Sequence, residues 1–108
     1  MFIVLSRYTK PLEEVDRLRP DHLAWVQSQY DAGRFLVSGR RVPPEGGAIV
    51  LRAADRDEVL ALLDTDPYQR NGVVEYAVHE LAETSAPLAS PELEAFLRRP
   101  LADPAAAA

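Results

Sequence analysis

Residues 2–8, with the sequence Phe-Ile-Val-Leu-Ser-Arg-Tyr, form the stretch from which the fold is most readily predicted. The stretch is rich in β-branched and aromatic residues, which favour an extended strand. Its first half is apolar on both alternating faces, with Phe2 and Val4 on one face and Ile3 and Leu5 on the other. This pattern is typical of a strand in the middle of a sheet that is covered on both sides. We therefore predict that residues 2–8 form a central strand.

The segment after this strand predicts helical structure in two pieces. Residues 12–18 are expected to form a short helical turn, because acidic residues near its start suit a helix N-terminus. Pro20 fits the first position of a second, longer helix that extends to Ala32 and is capped by Gly33. The apolar spacing in this helix predicts a core-facing stripe that consists of Leu23, Val26 and Tyr30.

Two strands, a helix and a last strand are predicted in the second half. Residues 34–40 and 48–52 read as a hairpin around a Pro/Gly-rich turn. Asp55 begins a helix in capping-box spacing with Glu58. That helix should end near Asp64, because Pro67 disfavours a helical backbone at the preceding residue. The last strand, residues 73–81, is expected to turn one face inward, consisting of Val74, Tyr76 and Val78.

The element order β-α-β-β-α-β predicts a ferredoxin-like α+β fold. In this fold two helices cover one face of an antiparallel sheet. The remaining face has too many apolar residues to be left in contact with water, so we expect a homodimer that forms through the open face of the sheet. The domain is expected to span residues 1–83. An extension of residues 84–108 should hold a linker, a short helix at 91–99 and a disordered Ala/Pro end.

Length, charge and composition exclude several classes of function. A chain of 108 residues has room for one core. Its net charge of −5 argues against binding to nucleic acid, which requires a basic surface. No stretch is apolar over the length of a membrane span, and the first residues do not resemble a signal peptide. With no cysteine in the chain, we expect a cytoplasmic protein.

His22 and Asp66 are the candidate catalytic residues. A histidine in the first turn of a helix would be held neutral by the helix dipole. A carboxylate bonded to one ring nitrogen would fix the tautomer and stabilise the ring after it accepts a proton. The alternative is structural: Asp66 caps backbone amides before Pro67, and His22 caps or packs at a helix start.

Six further residues are candidates for binding a substrate, and each has a structural alternative. Ser38 and Gly39 could offer a hydroxyl group and a close backbone approach, although both also suit an ordinary strand. The remaining candidates could contact an anion or form the walls of a pocket, with surface ion pairing or packing as the alternative; they are Arg7, Tyr8, Trp25 and Tyr68. No metal and no cofactor are expected, because two histidines 57 residues apart do not form a helical pair of ligands.

The sequence resembles the YCII-related (YciI-like) proteins over roughly residues 1–82. The stretches that carry the resemblance are residues 1–4, 11–15, 19–25, 33–39 and the triplet Asp66-Pro67-Tyr68. The resemblance implies a dimeric α+β barrel of ferredoxin-like subunits, with a His-Asp dyad at His22 and Asp66. It also implies proton transfer or elimination on a small, anionic organic substrate, as in the related chloromuconolactone dehalogenases and the structurally similar muconolactone isomerases.

This chain departs from the family pattern at two points. Arg40 follows the Ser38-Gly39 pair where proline is frequent, which would change the charge at the mouth of a pocket. The second departure is the added C-terminal tail. A non-catalytic, homodimeric protein that binds or senses a ligand in the same cleft is therefore the alternative function.

Overall fold

A four-stranded antiparallel sheet with helices on one face forms the body of the protein. The computed structural model describes residues 1–82 and 90–101. Along the chain the elements are β1 (Phe2–Tyr8), α1 (Leu12–Asp31), β2 (Phe35–Arg40), β3 (Gly47–Leu51), α2 (Arg56–Leu63), α3 (Pro67–Arg70), β4 (Val74–Glu80) and α4 (Pro91–Arg98). The strand order is β2-β3-β1-β4, so β1 is an inner strand. The predicted ferredoxin-like α+β fold is confirmed.

Alternation along the strands sorts the side chains onto two faces of the sheet. In β1 the side chains of Phe2, Val4 and Ser6 are buried beneath the helices, whereas Leu5 and Arg7 lie on the opposite face and are exposed. The same alternation applies to the paired strands, because the register places residues of one face directly opposite each other. The main core lies between the helices and the sheet, and it consists of Phe2, Val4, Trp25, Phe35, Ile49, Leu51, Val59, Leu62, Leu63 and Val78.

Helix α1 is one continuous element, and the prediction of two separate pieces is wrong. It runs from Leu12 to Asp31 with Pro20 inside it. Proline removes one helical donor, which leaves the carbonyl group of Asp16 without its usual partner. Both Asp16 and Pro20 are exposed, so water can bond to that carbonyl and the helix continues.

The face that α1 turns to the core also differs from the prediction. The buried residues of α1 are Val15, Trp25 and Gln29, whereas Leu23 is 48% exposed. Val26 and Tyr30 are only partly buried against the core. The predicted stripe was derived for a helix that starts at Pro20. The observed helix begins at Leu12, and its buried face includes Val15 and continues through Trp25 and Gln29.

Local capping explains how the chain leaves α2 and approaches β4. The backbone N–H of Glu58 donates to the side chain of Asp55 at 2.8 Å, and the Glu58 carboxylate accepts from the N–H of Ala54 at 3.0 Å. The predicted capping box is therefore present, with its return bond one residue earlier. Helix α2 ends at Leu63, and a further short helix that was not predicted, α3, follows Asp66.

The C-terminal helix α4 packs against the end of the body where α1 meets β2. The Arg52 guanidinium donates to the carbonyl of Arg99 and lies 5.3 Å from the ring centroid of Phe96. The Arg99 guanidinium also approaches Gly33, the residue after the C-cap of α1. Most of the predicted linker and the predicted Ala/Pro end fall on residues 83–89 and 102–108, which lie outside the described part of the chain.

The loop between β2 and β3 closes tightly on the end of β1. A Cβ atom at Gly46 would lie 1.8 Å from the carbonyl oxygen of Ser6, which only glycine avoids. The adjacent loop residue Glu45 accepts a bond from the N–H of Tyr8 at 2.8 Å. This close approach fixes the end of the hairpin beside the part of β1 that carries Ser6 and Tyr8.

Replacing Gly46 with alanine should therefore destabilise the fold. We expect Gly46→Ala to lower the free energy of unfolding by about 1–3 kcal/mol, the usual cost of forcing extra atoms into a packed site. Urea unfolding followed by circular dichroism measures this. The control is Gly39→Ala in the same hairpin, where the new Cβ meets no atom within 4 Å. Equal stability of the two variants would contradict the expectation.

Candidate active site

A cavity of about 270 Å³ lies between α1 and the helix-covered face of the sheet. Its floor is formed by the inward-facing residues of the strands, and α1 and α3 form its walls. The residues that line it are Val4, Ser6, Tyr8, Arg19, His22, Leu23, Val26, Ser38, Gly39, Arg40, Gly47, Ala48, Ile49, Tyr68 and Tyr76. Apolar and polar groups are mixed along its walls, which is typical of a site for a small molecule.

The structure brings His22 and Asp66 together at the wall of this cavity. Nδ1 of His22 lies 2.7 Å from Oδ1 of Asp66. The Asp66 side chain is 0% exposed, whereas that of His22 is 17% exposed and lines the cavity. The carboxylate therefore lies behind the imidazole ring, and the ring lies between the carboxylate and the cavity.

The Asp66-Pro67 sequence is what turns the carboxylate toward His22. Pro67 disfavours a helical backbone at the residue before it, and Asp66 has the extended angles φ −70° and ψ 127°. Asp66 is the N-cap of α3, and its Oδ1 accepts from the backbone N–H of Tyr68 at 3.0 Å. The capping role, which was the structural alternative for Asp66, is therefore also present. The Asp66 side chain both caps α3 and contacts His22.

The position of His22 in α1 corrects one argument from the sequence. His22 lies in the middle of a helix that starts at Leu12, so it is not in the first turn. The field of a helix terminus falls off within the terminal turn, so the dipole argument does not apply to this ring. Instead, the ring is positioned by its neighbours: it stacks on Tyr68, with ring centroids 3.8 Å apart, and lies 5.8 Å from Trp25.

Hydrogen bonds to Asp66 determine which nitrogen of His22 carries the proton. An ionised carboxylate only accepts, so Nδ1 of His22 donates to it. Nε2 is then the basic nitrogen of the neutral ring. Across residues 1–82 and 90–101, Nε2 of His22 has no hydrogen-bond partner. The arrangement leaves a base available at the wall of the cavity.

The predicted binding residues separate into two groups. Tyr8, Ser38, Gly39 and Tyr68 line the cavity. The Ser38 hydroxyl group also bonds to the hydroxyl group of Tyr30 at 2.8 Å, so its orientation is fixed.

Trp25 and Arg7 do not reach the cavity lining. The Trp25 ring is buried beside His22, and its Nε1 donates to the hydroxyl group of Thr65 at 2.8 Å. Arg7 lies on the opposite face of the sheet, where it forms an exposed ion pair with Glu75 at 2.5 Å. Trp25 therefore supports the histidine from behind, and Arg7 is placed away from the site.

Among the cavity residues that were not selected as site residues from the sequence, three carry charged or phenolic groups: Arg19, Arg40 and Tyr76. Arg40 donates from Nε to the hydroxyl oxygen of Tyr8 at 2.9 Å and from Nη2 to Asp16 at 2.5 Å. From the sequence, Arg40 was expected only to change the charge at the mouth of the pocket. Tyr76 could have been found from the alternation in β4, because its side chain is on the inward face.

Tyr76 donates its hydroxyl hydrogen to Oδ2 of Asp66. Burial raises the pKa of the Tyr76 phenol above its ordinary value, and the nearby Asp66 carboxylate adds to the effect. Burial likewise raises the pKa of Tyr68. Both phenols therefore remain protonated in neutral solution, and Tyr76 acts as a donor to Asp66.

Within the described ranges, no three His, Asp or Glu side chains lie close enough together to hold a metal ion. No helix there combines the length and the apolar character that crossing a bilayer requires.

The fold agrees with the comparisons to known proteins. The profile of the YCII-related domain family matches residues 1–82, which is most of the chain. The chain belongs to the YCII-related domain family, and the resemblance found in the sequence is confirmed. No curated protein sequence matches it.

A solved structure with a similar fold is that of 5-chloro-2-hydroxyhydroquinone dehydrochlorinase (TftG) from Burkholderia phenoliruptrix AC1100, in complex with 2,5-dihydroxybenzoquinone. The TM-score is 0.65 and the sequences are 19% identical. The similarity covers 78% of this chain and 96% of the dehydrochlorinase. At this level of identity the likeness establishes a shared fold.

Removing the Asp66 carboxylate should destabilise the protein strongly. Asp66→Ala leaves the N–H of Tyr68, the hydroxyl group of Tyr76 and Nδ1 of His22 without their acceptor. We expect a loss of about 3–5 kcal/mol in the free energy of unfolding, as when one partner of a buried pair is removed. Urea unfolding measures it. The exposed Asp64→Ala is the control, with a change within about 0.5 kcal/mol; similar values for both would contradict this account.

Proposed function

We propose that the cavity is the active site of a small enzyme that transfers a proton, or eliminates a leaving group, on a small anionic organic molecule. His22 acts as general base and acid, and Asp66 orients it. The observation that supports this best is the 2.7 Å contact between Nδ1 of His22 and a fully buried carboxylate, at a cavity wall. No cofactor takes part in the proposed reaction.

The chemistry follows from the free nitrogen of His22. Nε2 removes a proton from a carbon atom of the substrate, and the imidazolium ion that forms is stabilised by Asp66. The electron pair of the broken C–H bond then forms a double bond. In an elimination the leaving group departs with its own bonding pair. In an isomerisation His22 returns the proton to a different atom.

Two arginines support an anionic substrate. Arg19 and Arg40 both line the cavity, in a chain whose overall charge is −5. Arg40 is held by Asp16 and Tyr8. Arg19 has no ion-pair partner within the two described ranges, and it is therefore the cation we assign to the substrate. A carboxylate or enolate beside it would be drawn in by charge.

The size of the cavity limits the substrate. At about 270 Å³ it exceeds the roughly 150 Å³ that holds a benzene molecule in an engineered protein cavity. A single ring with one or two substituents therefore fits. The similar fold of a dehydrochlorinase that binds 2,5-dihydroxybenzoquinone also supports elimination on a small cyclic compound.

The open face of the sheet supports a homodimer. Leu5 and Val37 on this face are 41% and 54% exposed. Ile3 and Val50 are paired neighbours on the same face and are half-buried. A contiguous apolar sheet face of this kind is normally covered, and a second copy of the chain would cover it symmetrically.

Three further expectations belong to the same proposal. We assign residues 1–83 to the catalytic domain and residues 84–108 to an extension, of which the described helix α4 and Arg99 contact the body at Gly33 and Arg52. We place the protein in the cytoplasm, since it has no cysteine to stabilise it in an oxidising compartment. Neither nucleic acid nor a membrane is a partner in this proposal.

Loss of the imidazole should abolish proton transfer. The assay is deuterium incorporation from D₂O into a panel of small carboxylates and lactones, followed by proton NMR, with the corresponding neutral amides included. We expect exchange into the anionic compounds, and a decrease of roughly 10²–10⁴-fold in His22→Gln. The control is His79→Gln, which changes the other histidine; this residue lies on the open face of the sheet that we assign to the dimer, away from the cavity.

Either of two results would contradict catalysis by His22. One is equal exchange by His22→Gln and by the unaltered protein. The other is binding of panel compounds, seen as a raised melting temperature, without exchange of any proton. The second result would favour the non-catalytic ligand-binding protein.

A charge on the open face should separate the two subunits. Leu5→Glu places a carboxylate in the centre of the proposed interface, where it would be desolvated without a partner. We expect sedimentation equilibrium to show a monomer for Leu5→Glu and a dimer for the unaltered protein. Leu60→Glu on α2 is the control, because Leu60 is exposed to a similar extent outside the sheet. A dimeric Leu5→Glu would place the interface elsewhere.

A further inference from the structure

The carboxylate of Asp66 receives donors from three different elements. His22 on α1 and the backbone N–H of Tyr68 on α3 both bond to Oδ1. The hydroxyl group of Tyr76 on β4 bonds to Oδ2. In the part of the chain that the structure describes, Tyr76 is the only donor to Oδ2. This oxygen is fully buried, so water cannot replace the bond.

We propose that Tyr76 is a positioning residue that keeps Asp66 ionised and oriented, so that Nδ1 of His22 holds the proton and Nε2 is the base. This role goes beyond the pair of residues proposed above, and its catalytic meaning rests on that proposed function. The hydroxyl group acts through Asp66 and need not touch a substrate to fulfil it.

The position of Tyr76 in the sheet makes this role possible. Tyr76 pairs with Ser6 in the β1–β4 register, and its side chain points to the helix-covered face. Its phenol extends beneath α1 to the buried oxygen of Asp66. A sheet residue therefore fixes the rotation of a carboxylate that stands at the start of α3.

Loss of the Tyr76 hydroxyl group would leave Oδ2 of Asp66 buried without a donor. A buried ionised oxygen without a hydrogen bond is unfavourable, so the His22-Asp66 pair would retain a proton more strongly. The extra proton can reside on the ring or on the carboxyl group, and the two sites titrate as one coupled unit. If the carboxyl group takes it, it becomes a donor to Nδ1, and Nε2 loses its role as base.

Other charged and titratable groups surround the pair, and they are unchanged when Tyr76 is replaced. They are Arg19 on α1, Tyr8 on β1, Arg40 on β2 and Tyr68 on α3. Their contributions are therefore common to the variant and the unaltered protein. A difference between the two titrations reports on the single hydroxyl group.

The test is an NMR titration of the two imidazole rings in the full chain, without any substrate. In the unaltered protein, ¹⁵N shifts should identify His22 as the Nδ1–H tautomer. In Tyr76→Phe, we expect the midpoint of the His22-Asp66 titration to rise by about one to two pH units, the size expected for loss of one hydrogen bond to a charged group. His79 lies on the face of the sheet opposite the cavity, so its titration is an internal reference and should be the same in the variant and the unaltered protein.

The matched control is Tyr30→Phe, which removes a hydroxyl group that bonds to Ser38 instead of Asp66. Its His22 titration should equal that of the unaltered protein. A Tyr76→Phe midpoint that equals the Tyr30→Phe midpoint would overturn the proposal, as would an Nε2–H tautomer in the unaltered protein. The tautomer measurement needs no variant, so an Nε2–H ring would overturn the proposal even if Tyr76→Phe folds poorly. Failure of the deuterium-exchange assay would leave both results unaffected and would concern the proposed reaction alone.

Discussion

The buried carboxylate of Asp66 is the interaction on which the rest of the site depends. An ionised oxygen removed from water must be compensated by donors, and here three elements supply them: α1 through His22, α3 through the N–H of Tyr68, and β4 through the hydroxyl group of Tyr76. The carboxylate thereby connects the helices to the sheet. The same bonds that stabilise the fold also determine the tautomer of the histidine at the cavity wall.

The cavity lies between α1 and the sheet, and all four strands contribute to its lining. Apolar residues of the strands and of α1 form part of the walls, and arginines and tyrosines form another part. Arg40 is restrained by Asp16 and Tyr8, whereas Arg19 has no ion-pair partner among the described residues. The cavity wall thus combines a restrained imidazole ring with positive charge, in a chain that is acidic overall.

The main errors of the sequence-based prediction are matters of tertiary context. Pro20 is a reasonable start for a helix, and only the exposure of Asp16 and Pro20 explains why α1 continues through it. That continuation changed the buried face of α1 and removed His22 from a helix terminus. Alternation in β1 groups Arg7 with Leu5, but the sequence does not tell which face of the sheet holds the cavity. In the structure Arg7 lies on the face opposite the cavity, paired with Glu75.

The sequence alone determined the β-α-β-β-α-β order of the main elements, the ferredoxin-like fold and the choice of His22 and Asp66 as the candidate pair. These follow from local rules: strand alternation, the Asp55 cap, and the extended backbone that Pro67 requires at Asp66. The contact between His22 and Asp66, and the bond from Tyr76, join residues distant along the chain. Only the packing of α1 over the sheet could decide them, because no local pattern records which side chains from separate elements meet.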